Sequence, residues 1–184
     1  MNLLRLLAII LPMIIMGGEL NVSVSEPSTG SPEPKTIEII GIDKMKFVVA
    51  RNSPSVVVSD SITTAYGNTY RVLEAIKVKP SQEVTIQLTT VSELPPRSMS
   101  HNWVLLTEEA NPAEFDKEAV LAVDNNYIPP HKEDHIIART ALVEGGETAG
   151  VTFKAPQEQG MYDYLCSFPG HFANEMRGKL IVQK

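Results

Sequence analysis

The sequence predicts an all-β fold, a Greek-key β-sandwich of about eight strands with one short helix inserted. Three observations carry this. Short runs of β-branched and aromatic residues recur from Thr36 to the end of the chain. Several alternate apolar and polar side chains with the period of two that puts alternate residues on opposite faces of a strand. A single stretch shows helical spacing instead.

Two segments stand ahead of that rhythm. Leu3 to Met16 is apolar apart from Arg5 and the break at Pro12. A basic start and a short apolar run read as an export signal over residues 1–20. The run is shorter than the ~20 apolar residues of a comfortable span. Met16-Gly17-Gly18-Glu19 nevertheless lacks the small-x-small pattern of a cleavage site, so a cleaved signal and a retained anchor both stand, the latter a membrane tether through residues 3–18. Residues 21–35, NVSVSEPSTGSPEPK, hold too little apolar surface to offset the entropy of ordering and read as a disordered, Ser/Pro/Glu-rich linker. Its prolines stiffen it, giving a reach of about 45 Å at ~3 Å per residue. Residues 36–184 form the folded domain.

The expected strands follow in order: 36–42, 45–50, 69–78, 84–90, 102–107, 135–139, 149–155, 161–167 and 178–183. In Val84-Thr85-Ile86-Gln87-Leu88 the apolar side chains share one face. Pro80-Ser81, Gly145-Gly146 and Gln159-Gly160 mark turns between runs. Strands at this spacing suit a sandwich with Greek-key connections. The exception opens at Asn111, a helix cap with Pro112 at the first helical position and Glu114 as capping-box partner. Phe115, Ala119, Val120 and Ala122 then recur at helical intervals, predicting a helix to about Val123.

Composition excludes several classes. Apolar residues make up 43% and charged residues 21%, which fits a folded soluble domain rather than a disordered chain or a multi-span membrane protein. A net charge of -6 offers no basic excess to neutralise phosphates, so no nucleic-acid partner is expected. With one cysteine there is no internal disulfide, and Cys166 is a core thiol, a free thiol or a ligand.

The densest chemical signal is Cys166-Ser167-Phe168-Pro169-Gly170-His171-Phe172-Ala173-Asn174-Glu175-Met176. A thiol, an imidazole and a thioether fall at equal steps of five residues in a loop joining two strands. A blue-type copper site asks for two histidines and a cysteine in a trigonal plane with a weak axial methionine. His101, in Met99-Ser100-His101-Asn102-Trp103 at a strand start, supplies the second histidine. Taken singly, each residue is ordinary: a strand-end cysteine is usually a small hydrophobe. It is the joint spacing beside Pro-Gly that points to metal. His131 and His135, four apart in Pro129-Pro130-His131-Lys132-Glu133-Asp134-His135, read as solvated residues in a loop running into a strand.

The C-S-F-P-G-H loop and the S-H-N-W-V-L strand start resemble those of the azurin-like cupredoxins, and the likeness extends in pattern over most of 36–184, including I-A-R-T-A-L-V-E-G-G-E-T. The four residues between His171 and Met176, one more than azurins carry, are similar to the spacing of auracyanins, the blue copper proteins of filamentous phototrophic bacteria. The resemblance implies His101, Cys166 and His171 as equatorial copper ligands and Met176 as the axial one. It also implies that Asn102 ties the two ligand segments together, and that the backbone N–H groups of Asn102 and Phe168 point at the thiolate sulfur. Ser100 replaces the glycine whose carbonyl makes a weak fifth contact in azurins, so four ligands are expected.

A complete ligand set leaves no open position for substrate, whereas catalytic metal sites keep one. The expectation is therefore an electron carrier with one type 1 copper rather than an enzyme. A carrier or chaperone that delivers the metal itself is the alternative. Pro169, Gly170 and Phe172 around His171, with Leu94-Pro95-Pro96 adding to the same end, are expected to form an apolar docking patch. Redox proteins such as cytochromes or membrane electron-transfer complexes are the expected partners. The expected location is outside the cytoplasm, either periplasmic or tethered to the outer face of the cytoplasmic membrane.

Overall fold

The first strand, β1 (Lys35–Ile42), starts at the last residue of the expected linker, and Gln82 Nε2 donates to the Glu33 carbonyl at 2.6 Å just ahead of it. A computed structural model describes residues 31–184. The export-signal reading of 1–20 and most of the linker, 21–30, lie outside the described residues. After β1 come β2 (Lys46–Val49), β3 (Val56–Thr63), β4 (Thr69–Val78), β5 (Glu83–Val91) and β6 (Val104–Leu106). Helix α1 (Pro112–Ala119) follows, then β7 (Ile136–Arg139), β8 (Thr148–Lys154), β9 (Gly160–Leu165) and β10 (Arg177–Val182).

The strands hydrogen-bond in the order β7-β6-β9-β10-β4-β2-β1-β5-β8, with β3 attached to β4. Neighbours are antiparallel except in two pairs: β1 runs parallel to β5, Lys35 opposite Val84, and β10 runs parallel to β4, Lys179 opposite Ala75. Those two parallel pairs are what Greek-key connections produce, since they place the first and last strands beside strands that are distant in sequence. β7 and β8 come into contact, so the sheet nearly closes.

Alternation places the core where the sequence indicates. Val84, Ile86 and Leu88 of β5 are each 0% exposed and pack with Ile37, Ile39, Phe47, Leu73 and Ile76 around Trp103 and Tyr164. The aromatic rings meet at 5.4 Å between centroids for Trp103 and Tyr164 and 5.8 Å for Phe47 and Tyr164. β6 is buried on both faces. Leu105 faces the main core, whereas Val104 and Leu106 join Phe115, Ala119, Ile128 and Leu165 beneath α1. That two-sided burial explains why the Trp103–Leu106 run is continuously apolar.

The nine expected runs each contain a strand, and β3 is a tenth. Its sequence, VVVSDSIT, lacks alternation because the strand is half-exposed and its pairing with β4 is broken by register shifts at Val57/Val58 and Val58/Ser61. The helix is shorter than its periodicity suggests. Asn111 Oδ1 accepts from the N–H groups of Ala113 and Glu114 at 3.0 and 3.2 Å, so the predicted cap forms. Past Ala119, however, the chain enters turns, with Leu121 83% and Val123 58% exposed. Those apolar residues have no core to face, so periodicity alone does not extend the helix. Residues Pro130–His135 form a 3-10 helix leading into β7 rather than a loop.

Candidate metal centre

Two strand ends bring the donors together. His101 precedes β6 and is held by a two-way bridge, its N–H donating to the Val143 carbonyl at 3.0 Å and its carbonyl accepting from Val143 N at 2.9 Å. Cys166 follows the last residue of β9, its N–H donating to the Met176 carbonyl at 3.0 Å. The chain between Cys166 and Met176 folds back on itself: His171 N donates to Phe168 O at 3.1 Å and Met176 N to His171 O at 3.0 Å. Gly170 makes this turn possible with φ 82°, a left-handed conformation that side chains disfavour.

Cys166 Sγ, His101 Nδ1 and His171 Nδ1 converge, with His101 Nδ1 and His171 Nδ1 3.2 Å apart and Sγ 3.3 Å from His171 Nδ1 and 3.9 Å from His101 Nδ1. All three side chains are buried, as is Met176, whose backbone is bonded to both Cys166 and His171. A triangle with those sides is circumscribed by a circle of radius about 2.0 Å, the length of a bond from imidazole nitrogen to a first-row metal. Soft thiolate and borderline imidazole donors suit copper in both oxidation states. The residues therefore fit a single copper ion.

Burial sets the protonation of the donor side chains. It pushes the His101 imidazole down to about 3, with the facing His171 adding to the shift, and the His171 imidazole down to about 4. Both rings are neutral at ordinary pH, as ligands must be. The Cys166 thiol is pushed up to about 12 by burial, opposed by hydrogen bonds from the backbone at Asn102 and Phe168. Metal binding must therefore displace a proton from sulfur.

Side chains around the donors tie the neighbouring segments to one another. Asn102 Nδ2 donates to Ser167 Oγ at 2.8 Å and Ser167 N donates to Asn102 Oδ1 at 2.9 Å, so a closed pair of bonds joins the His101 and Cys166 segments. Ser167 stands inside the quoted loop, but nothing in its local sequence marks it as the partner of Asn102. Ser100 Oγ donates to the Pro96 carbonyl at 2.8 Å, tying the Leu94-Pro95-Pro96 segment to the same end. Gly41 was not legible as part of the site: it lies directly under the His101 ring, from a strand sixty residues earlier in the chain. Tyr127, also unmarked in sequence, stacks edge-on against Phe168 at 5.0 Å, and Phe168 in turn meets His171 at 4.8 Å.

One expectation requires correction. Phe172 does not belong to an exposed patch: it is 9% exposed and packs with Val104, Leu165 and Phe115, while the Arg177 guanidinium lies 4.6 Å from its ring centroid. The outward apolar side chains Val104 and Leu106 of β6 and Leu165 of β9 need a cover beyond α1, and Phe172 provides it. Gly170 is exposed and Pro169 half-buried beside His171. His131 lies elsewhere, its Nε2 against Glu118 Oε2, with Lys132 Nζ 3.5 Å from Glu118 Oε1.

Among the described residues, His101, Cys166 and His171 are the one group of histidine, cysteine and acidic side chains whose donor atoms all lie within 4.8 Å. A Greek-key β-sandwich carrying that trio at one end defines the cupredoxin class. The chain belongs to the family of copper binding proteins of the plastocyanin/azurin type, whose profile matches residues 40–183. It is 38% identical over 114 residues to an azurin of Pseudomonas fluorescens biotype C, covering 60% of this chain and 87% of that one. It is 40% identical over 111 residues to auracyanin-A of Chloroflexus aurantiacus, covering 58% and 63% respectively. The solved structure of auracyanin A, a "blue" copper protein from the same bacterium, superimposes with a TM-score of 0.58 at 30% identity, over 82% of this chain and 99% of that one.

Proposed function

We propose that this domain is a one-electron carrier in which His101, Cys166, His171 and Met176 would hold copper. Membership of a blue copper family already implies electron transfer. The observation that carries the finer reading is the enclosure of the donor set: His101, Cys166 and Met176 are 0% and His171 1% exposed. Such a site has neither an open position for substrate nor the accessible ligands from which a metal-delivery protein would hand over its cargo. When bound, copper supplies the redox step by cycling between Cu(I) and Cu(II).

The chain's own residues do the rest. The N–H groups of Asn102 and Phe168, directed at Cys166 Sγ, favour a negative sulfur and tune the potential of the site. The Asn102–Ser167 pair holds the two donor segments at fixed separation, so little must rearrange when charge changes. His171 is the donor nearest the surface, behind Pro169 and Gly170, and electrons pass through it to a redox protein docked over those residues. An exported domain, periplasmic or tethered through residues 3–18 to the outer face of the membrane, fits the apolar run and linker that precede the fold.

Optical and electron paramagnetic resonance spectra after addition of Cu(II) test the site. An intense thiolate-to-copper band with narrow copper hyperfine splitting is expected, lost in Cys166→Ser. A spectrum that is weak, or unchanged by the substitution, would transfer the lead to metal delivery. Docking is tested at the exposed Ala173: Ala173→Glu is expected to slow electron exchange with small cytochromes severalfold while leaving the spectrum intact. Equal rates would remove Pro169 and Gly170 from the docking surface.

A further inference from the structure

The geometry points to Gly41 as the residue that sets the orientation of the His101 imidazole. A histidine that ligates a metal usually donates its second ring N–H to a carbonyl or carboxylate, and that bond fixes the plane of the ring. His101 has no such partner: its Nε2 is buried and makes no hydrogen bond with any described residue. The neighbouring His171 carries no orphaned atom of this kind. Something other than hydrogen bonding must therefore hold the His101 ring.

Contact with Gly41 does so. A Cβ placed on Gly41 would stand 2.5 Å from His101 Cδ2, 2.7 Å from Cγ and 3.1 Å from Cβ, so the ring lies flush on the bare backbone of β1. Neither side can yield. Gly41 is locked between Phe47 of β2 and Thr90 of β5, and the His101 backbone is locked by its double bond to Val143. The ring also meets His171 at 4.8 Å between centroids. The imidazole is thus held against a strand without a side chain and against the second donor histidine, and any side chain at position 41 must push the ring, and Nδ1 with it, out of the donor triangle. Gly41 is a positioning residue, acting through His101 without reaching the metal. This assignment rests on His101 being a copper ligand.

The test compares the full chain with Gly41→Ala and with Gly150→Ala. Residue 150 is a strand position whose added Cβ would meet its nearest atom at an ordinary 3.5 Å. With Cu(II), Gly41→Ala is expected to keep the thiolate band but to shift its intensity pattern, widen the hyperfine splitting and weaken Cu(II) affinity by about tenfold or more, the usual effect of losing a ligand's orienting partner. Gly150→Ala is expected to match the wild type. A Gly41→Ala spectrum and affinity equal to wild type would overturn the assignment, whereas a wild type without the blue band would instead overturn the copper reading beneath it. A second arm needs no metal. Gly41→Ala is introduced with and without His101→Ala, and the thermal unfolding of the copper-free proteins is compared. Destabilisation that vanishes once the ring is gone, including rescue of a variant that otherwise does not fold, supports the clamp. Destabilisation of equal size in both backgrounds refutes it.

Discussion

Two imidazoles and a thiol buried together make the copper-free fold sensitive to pH at both ends. Unfolded histidine takes up a proton near 6.5, but His101 and His171 in the fold resist protonation until about 3 and about 4, because burial penalises the charged ring. The unfolded chain therefore binds more protons below pH 6.5, and stability falls as pH drops from there, by up to about 1.4 kcal/mol per pH unit for each ring. The thiol acts in the opposite sense. Held up to about 12 in the fold against an ordinary value near 9, Cys166 lets the unfolded chain lose its proton first, so stability also declines as pH rises above 9. Urea unfolding of the copper-free protein from pH 4.5 to 10 is expected to show a plateau near neutrality. His171→Gln should shallow the acid limb, and a limb of unchanged slope would remove His171 from the account. Residue identity was also where the sequence spoke most clearly. Cys166, His171 and Met176 share one loop, so their spacing is visible in the chain. Gly41 meets His101 only because β1 crosses beneath it, and no local pattern records a contact between residues sixty positions apart.

At the level of elements, legibility followed burial. β5 could be read residue by residue because one of its faces is buried and the other is lined with Thr85 and Gln87. β3 could not, because an irregular, half-exposed strand imposes no alternation on its side chains. Helix α1 was legible at its start, where capping chemistry is local, and not at its end, where the exposed Val120 imitates a buried stripe. The cap gives a direct prediction. Asn111→Ala removes the acceptor for two backbone N–H groups and should cost about 1 kcal/mol. Thermal unfolding of the copper-free domain should register that loss while the copper spectrum stays constant, since Asn111 caps the far end of a helix that packs on Leu165 and Phe172 and supplies no donor. A loss below a few tenths of a kcal/mol would mean the helix is held by Phe115 and Ala119 alone.

For the molecule as a whole, a copper centre would add a further link between two strand ends already joined by the sheet and by the Asn102–Ser167 pair. A ligand that binds the fold and not the unfolded chain stabilises it by mass action, about 4 kcal/mol at a thousandfold excess over its dissociation constant. Copper should accordingly raise the unfolding temperature by several degrees, and a strong Cu(I) chelator acting on reduced protein should reverse the gain. Scanning calorimetry of the loaded, stripped and Cys166→Ser forms checks this, and identical transitions in all three would contradict a resident metal. The parallel seat of β10 between β9 and β4 has a bearing on timing as well. The strand that follows Met176 is the last of the described strands, yet it sits inside the sheet, so the β7-β6-β9 and β4-β2-β1-β5-β8 segments hydrogen-bond into one sheet only once β10 takes its place between them.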